Sequence, residues 1–475
     1  MSTEKKTLLI KADKVWDGLA KGLLEGPQEI FIVDGVIKEM GRTVNLEADS
    51  ILEFGSDYTL TPGFIDCHVH STLLPTIKML SGSVSEKTLY SLEALSILLG
   101  NGFTTVRDLG CFDPNFITIG LRNLIRNGGI IGPRMLVAPH MLSARGGHGD
   151  YTSSFGSLFK PLEFEVADGV PSIIRAVRED IRQGAEWIKF AATGGFTSPS
   201  SDPSQTTYSQ EEMNALVSTA LDLGISTTTH AYGDEGVRRA VMAGVRSVEH
   251  ASLVKQKTLD TIMEKEYEAK EKGIEKWEIF IVPTQFAILH DAYNVGEDEY
   301  WKNRLPWERA KYIKYKDKLI ETAKNLAKSE VPIAFGSDAG TFDCRHNRKE
   351  FQAMVKYGGF LPLQALKSAT SMAARLLDRP DLGVLAAGKT ADIIALKGDP
   401  LKVKDISAVG KVRFIMKEGI VYAKSSDDAQ YPELGWLLEN IDPDKLRIIP
   451  TPTGGWKDDP LSLDKEFLLE KNSRV

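Results

Sequence analysis

Eight apolar runs rich in β-branched residues narrow the fold of this chain further than any other feature. They are Phe64–His70, Phe103–Leu109, Met135–His140, Trp187–Ala192, Ile225–His230, Val245–His250, Ile279–Thr284 and Pro332–Asp338. The segments between them are mostly long enough for a helix, which predicts βα repetition. Eight parallel strands are what an α/β fold of the (β/α)8 TIM barrel type requires. Most of the runs end in His, Asp or Thr, and barrel chemistry sits at the C-terminal ends of the strands.

Several connecting segments read as helices. Ser209 to Leu223 opens with Ser209 and Glu212 at capping-box spacing and stops at Gly224. A second runs from Glu86 to Leu99 and ends at Gly100-Asn101-Gly102. Leu361 to Leu377 has Pro362 in its first turn and Ala365, Leu366, Ala369, Ala373, Leu376 and Leu377 on one face. The Lys/Glu-rich stretch Glu264–Lys276 reads as a solvated helix face. Before the first run, Thr7–Lys11, Ile30–Val33, Val36–Met40 and Ser50–Phe54 are short segments divided by Asp34-Gly35 and similar turns, a hairpin pattern. Similar short runs return at Ile393–Leu396, Val412–Ile415 and, past Glu418-Gly419, Ile420–Ala423. The expected organisation is a composite β-sandwich domain from 1–60 and 381–424, a catalytic barrel at 61–380, and an extension at 425–475 that wraps a surface or a neighbour.

Composition excludes some partners. Among 475 residues, 58 basic and 65 acidic side chains give a net charge of −7, with no broad attraction for nucleic acid or anionic membrane, so a small-molecule partner is expected. Cys67, Cys111 and Cys344 are too few and too scattered for a disulfide framework, which fits a reducing compartment. With no segment approaching 18 uncharged apolar residues, the reading is soluble and cytoplasmic.

The chemistry-bearing residues fall at the ends of the runs. His68 and His70, two apart on one strand, face the same side and can chelate one metal. Lys189 lies in Trp187-Ile188-Lys189-Phe190-Ala191-Ala192, where a buried ammonium needs a reason. Its stem snorkels to solvent, its amine is a Schiff-base nucleophile, or CO₂ carboxylates it to a carbamate bridging two cations. His230 and His250 end consecutive runs, with room for one helix between them, and Asp338 closes Ile333-Ala334-Phe335-Gly336-Ser337. Four histidines, a lysine and an aspartate sorted to strand ends suit two cations about 3.5–4 Å apart with a hydroxide between them.

With TPGFIDCHVH, EWIKFAATGG, TTTHAYG, SVEH, IAFGSDAG and the later GVLAAGKTADIIAL, the chain resembles the amidohydrolase superfamily of metal-dependent hydrolases over nearly its whole length. The resemblance implies that His68, His70 and Asp338 hold one divalent cation, His230 and His250 hold a second, and N6-carboxylated Lys189 bridges them, zinc being the expected metal. Asp338 would also be the general base, taking a proton from the bridging hydroxide as it attacks a carbonyl. RDLG at Arg107–Gly110, GPR at Gly132–Arg134, GGHGD at Gly146–Asp150 and KFAATGG at Lys189–Gly195 resemble the branch holding Xaa-Pro dipeptidase-like enzymes, metallo-carboxypeptidases and fungal ochratoxinase. There the resemblance puts His148 opposite the scissile carbonyl as a catalytic and substrate-binding residue, and Tyr232 at the substrate carboxylate. Arg145, beside the same glycines, could pair with that carboxylate bidentately.

The expected function is therefore hydrolysis of small amides, N-acyl amino acids or dipeptides with a free carboxylate, ochratoxin-like amides included, by a homo-oligomer. Alternatives are an imidazolonepropionase-like hydrolase of cyclic amides or lactones on the same metals, a lyase using Lys189 as a Schiff base, and a non-catalytic dihydropyrimidinase-like scaffold. The loop Tyr151–Gly169 and the stretch Thr341–Arg348, which includes His346, are expected to shape the pocket. His140 and His290 are read as structural.

Overall fold

The computed structural model describes residues 6–73, 83–111, 115–150, 166–199, 201–273, 278–302 and 304–424. The extension assigned to 425–475 and most of the loop Tyr151–Gly169 lie outside the described residues. The structure is α/β, with four sheets among the described residues. β1 (Thr7–Ala12), β2 (Gln28–Val33), β3 (Val36–Gly41) and β4 (Ser50–Phe54) form one sheet in the order β3-β2-β1-β4. Asp34 and Gly35 join β2 to β3 with φ of 48° and 77°, the pair of positive values that a tight primed hairpin turn demands.

β5 (Tyr58–Pro62) leads into β6 (Phe64–Val69), which forms a parallel sheet with β7 (Phe103–Asp108) and β8 (Arg134–Val137). A second parallel sheet holds β9 (Met141–Leu142), β10 (Trp187–Ala191), β11 (Ser226–Gly233), β12 (Ser247–Leu253) and β13 (Phe280–Val282) in sequence order. Every residue of β6, β7, β10 and β12 is buried, as parallel strands covered on both faces must be. Backbone hydrogen bonds link the two sheets. Glu186 N–H donates to the Val137 carbonyl at 2.9 Å, and beyond β13 Ile281 N–H donates to the Pro332 carbonyl at 2.9 Å. Cys67, Asp338 and His70 N–H then donate to the carbonyls of Phe335, His68 and Ala339.

The segment Pro332–Asp338 departs from the strand expected there. It holds only an isolated bridge, Ile333 to Ile281, with a second just beyond it from Ala339 to Val69. Phe335 N–H donates to the Ser368 carbonyl, and Asp338 has a left-handed φ of 63°, so no regular ladder can run through it. The run Met135–His140 likewise ends as a strand at Val137, and His140 lies in the link to β9.

The connecting helices follow their caps. Ser83–Glu86 and Ser209–Glu212 are reciprocal capping boxes on the helices Val84–Gly100 and Gln210–Asp222. The single helix expected over Leu361–Leu377 is instead two, Pro362–Ser368 and Ser371–Leu376, interrupted at Thr370 with φ −134° and ψ −100°. The helix Gln256–Glu271 covers the first part of the charged stretch; its Glu266 is buried and pairs with Lys270 at 2.7 Å.

β14 (Ile393–Lys397), β15 (Val412–Lys417) and β16 (Ile420–Lys424) form an antiparallel sheet with β5, in the order β16-β15-β14-β5. Ile10, Ile30, Ile32 and Phe54 share one apolar cluster with Ile393, Phe414 and Met416, so the two ends of the described chain bury their side chains together. Arg134 at the start of β8 anchors this region, donating to Asp392 at 2.8 Å and to Glu418 at 2.6 Å. Among the described residues no helix is long and apolar enough to cross a membrane.

Candidate metal centre

His68 on β6 and His70 just past its end are brought together, and Asp338 reaches them from the facing segment. Gly336 permits that approach, because a Cβ there would overlap the His68 Cβ and a Val282 methyl. The three donor atoms form a triangle. His68 Nε2 lies 3.3 Å from His70 Nε2 and 3.3 Å from Asp338 Oδ1, and His70 Nε2 lies 3.4 Å from the same oxygen. Donors around a tetrahedral ion with bonds of about 2.0–2.1 Å stand roughly 3.3–3.4 Å apart, which this triangle matches.

The protons of the two rings are spoken for elsewhere. His68 Nδ1 bonds the Glu249 carboxylate at 2.9 Å, and His70 Nδ1 bonds the Gly110 carbonyl at 3.2 Å. Both acceptors require N–H at Nδ1, which leaves a lone pair on each Nε2. Burial drives the pKa of His68 well below the ordinary value, so the ring does not take up a second proton. In the Nδ1–H tautomers two imidazole lone pairs and a carboxylate oxygen converge, an arrangement that fits a cation.

His230 and His250, on β11 and β12, stand beside this triangle. Their ring centroids are 4.7 Å apart, and His250 is 5.2 Å from His68. His230 Nε2 faces the Gly194 carbonyl at 3.3 Å, leaving Nδ1 as its donor atom, and His250 Nδ1 is engaged by the Thr284 hydroxyl at 2.7 Å, leaving Nε2. Lys189 on β10 is buried, and its Nζ is without a hydrogen-bond partner. Burial pushes its pKa down to about 8 against the opposing pull of Glu249, so a neutral amine is accessible. An orphaned buried amine beside four histidines fits conversion to a carbamate. It does not fit snorkelling, because the residue is only 1% exposed.

His148 is brought into the same cluster, stacked on His230 with centroids 4.2 Å apart, its Nδ1 buried and without a partner. Burial lowers its pKa to about 4, so the ring is neutral. Tyr232 stacks on His250 at 4.6 Å and meets Phe196 edge-on at 5.0 Å. Arg145 is not brought in: its side chain is 79% exposed and pairs with Asp168 at 3.6 Å. Gly146, with φ 73°, turns the chain between them, sending Arg145 to solvent and His148 inward. His140 bonds the buried Asp180 at 2.7 Å, and His290 bonds the Tyr300 hydroxyl at 3.0 Å.

Four non-glycine residues here adopt left-handed backbone: His250 at 72°, Ala251 at 48°, Thr284 at 45° and Asp338 at 63°. Each costs on the order of 1–3 kcal/mol, and such strain concentrates at functional sites. Several supporting groups complete the site. Asp66 accepts from the N–H of His68 and of Ser337 and from the Ser337 hydroxyl, tying β6 to the Asp338 segment; burial raises its pKa to about 6. Glu249 and Arg107 stand within the motifs SVEH and RDLG, which assign them no role. Their signal was an acid and a base in strands otherwise buried throughout, a placement that demands a partner.

The family model for the amidohydrolase family matches residues 59–423. This chain belongs to the amidohydrolase family. As an amidohydrolase it is a hydrolase acting on carbon–nitrogen bonds, within the branch that includes Xaa-Pro dipeptidase and ochratoxinase. Ochratoxinase from Aspergillus niger is 28% identical over 427 residues, spanning 83% of this chain and 82% of that protein. A crystal structure of a Xaa-Pro dipeptidase with bound methionine in its active site superposes with a TM-score of 0.77 at 30% identity, covering 88% of this amidohydrolase and all of that chain. A prolidase complexed with N-methylphosphonate-L-proline gives a TM-score of 0.75 at 28% identity, covering 89% of this chain and all of the other.

Proposed function

We propose that this amidohydrolase cleaves amide bonds of small substrates that carry a free carboxylate, N-acyl amino acids or dipeptides, at a centre of two divalent cations. The observation that carries this reading is the convergence of the His68, His70 and Asp338 acceptors beside the unpartnered Lys189 amine. His68, His70 and Asp338 would hold one cation, zinc foremost, and His230 and His250 the other, with N6-carboxylated Lys189 between them. When bound, the cations supply polarisation of the scissile carbonyl and acidify water so that a nucleophile is available near neutral pH.

The chain's own groups perform the remaining work. The Asp338 carboxylate takes the proton of the attacking water and returns it to the departing nitrogen. His148, neutral and half-buried beside His230, donates to the carbonyl oxygen as charge develops on it. Tyr232, fixed between His250 and Phe196, orients the substrate carboxylate. Arg145 could join it only by releasing Asp168 and turning inward. The dipeptidase, prolidase and ochratoxinase likenesses support an amide with a terminal carboxylate.

The proposed architecture is a (β/α)8 barrel over 61–380, in which Pro332–Asp338 closes the ring between β13 and β6. A composite β-sandwich from 1–60 and 381–424 would flank it. The hydrogen bonds from β13 through residues 332–339 to β6 support closure, and the apolar cluster common to both chain ends supports the sandwich. A cytoplasmic homo-oligomer without nucleic-acid or membrane partners is the accompanying expectation.

Amine release should be measured from N-acyl amino acids and dipeptides, each beside its carboxamide-capped twin, with metal-replete protein. Turnover of the free acids alone supports the proposal. Equal turnover of capped forms removes the carboxylate from it, and no turnover in either series overturns the amidase reading in favour of cyclic amides or lactones.

A further inference from the structure

We infer that Glu249, charge-balanced by Arg107, is a positioning residue that fixes His68 as a metal ligand although it reaches no metal itself. The inference rests on the metal reading above. Glu249 is fully buried on β12, and its two oxygens have different partners. Oε1 accepts from the Arg107 guanidinium at 2.8 Å, the Thr228 hydroxyl at 2.5 Å and the Ser247 hydroxyl at 2.7 Å. Oε2 takes His68 Nδ1 at 2.9 Å.

The three donors on Oε1 fix the carboxylate plane from β7, β11 and β12, which aims Oε2 across the interior at β6. Arg107 is itself fully buried. It donates to the Cys67 carbonyl at 2.7 Å and to Ser247 at 3.1 Å, and its guanidinium lies 4.4 Å from the centroid of the Trp187 ring. One end of this pair is thus locked to the residue preceding His68 and the other to the His68 ring.

An anionic acceptor on Nδ1–H does two things. It holds the tautomer with the lone pair on Nε2, and it increases electron density on the ring, which strengthens a ligand. His70, His230 and His250 direct a ring nitrogen at neutral oxygens instead: the Gly110 carbonyl, the Gly194 carbonyl and the Thr284 hydroxyl. The Glu249 contact thus gives His68 a carboxylate partner at Nδ1.

A purely structural role, neutralising Arg107, would need Oε1 alone. The two roles separate in a set of variants: wild type, Glu249→Gln, Arg107→Met and the double variant, each examined by chelator competition for zinc and by thermal melting. The single variants leave a buried charge or an unpaired donor and lose stability. The double variant removes both charges and should regain most of the melting temperature. Its zinc affinity should stay about 10–100-fold below wild type, the usual loss when an outer partner of a ligand is removed. Recovery of wild-type affinity together with stability would reduce Glu249 to a counter-ion and overturn the inference. Wild-type affinity in a folded Glu249→Gln protein would do the same. If folded wild type takes up no stoichiometric zinc, the metal reading itself fails, which the melting curve distinguishes from loss of one positioning contact.

Discussion

Gly195 stands so close to the face of His148 that a Cβ would overlap the ring at Nδ1 and Cε1. The loop carrying Gly195 is held in place by Lys311, on the helix Pro306–Lys328, whose ammonium donates to the carbonyls of Gly195, Ser198 and Ser201. The position of the histidine is thereby set by packing, with no hydrogen bond needed at its buried nitrogen.

Gly195→Ala should push His148 out of its stack on His230. Loss of one donor to a developing oxyanion lowers kcat by about 10²–10³-fold, and a loss of that order is expected with bound metal unchanged. Steady-state kinetics and metal analysis on the same preparation check this; unchanged kcat would remove His148 from the reaction.

Lys189→Ala should lose zinc, and short carboxylic acids added to the buffer should restore part of it by standing in for a carbamate. Labelled bicarbonate incorporated into wild type but absent from the variant would identify the modified atom. A variant that retains full zinc without additive would refute a bridging lysine.

Asp338→Asn keeps an oxygen donor but cannot take the proton. Turnover should fall by about 10²–10⁴-fold, the usual contribution of a general base, while zinc content stays largely intact. Rates near wild type would transfer the proton role to another group.

Asp202 gives a prediction in acid. Burial pushes its carboxyl up, but the Tyr315 hydroxyl at 2.5 Å, the Ser204 N–H and hydroxyl, and the Lys314 ammonium outweigh it and hold the pKa below the ordinary value. A depressed carboxyl contributes stability that is complete above the unfolded pKa of about 3.9 and is lost as pH falls toward the folded value. Asp202→Asn should therefore lower the urea midpoint most at neutral pH, and the gap to wild type should close below about pH 4. A gap that widens in acid would contradict the sign.

Much of this arrangement was legible because buried parallel strands are written as unbroken apolar runs, and a His, Lys or Asp within such a run stands out. The runs that carry β6, β7, β10, β11 and β12 show it. Pro332–Asp338 reads the same way, yet Gly336 and the left-handed Asp338 exist to bring a side chain to a point, and that requirement breaks the ladder. Sequence spacing also could not separate Arg145 from His148, three residues apart, because the turn at Gly146 decides which faces inward. Glu249 was hidden for another reason: its partners Arg107, Thr228 and His68 lie on three other strands, and no local pattern records a contact across the interior.

Thr59 on β5 donates its hydroxyl to the carbonyl of Gly398, 339 positions later, beside the ladder that joins β5 to β14. A ribosome adds roughly 5–20 residues per second, so the early strand waits on the order of tens of seconds for its neighbour to be made. Throughout that interval β5 presents an open edge while the catalytic strands are still being synthesised. Birth of this enzyme is thus a problem of timing, and a truncation just before Ile393 should yield a chain dependent on chaperones, with its proposed metal ligands all present and its first sheet edge uncovered.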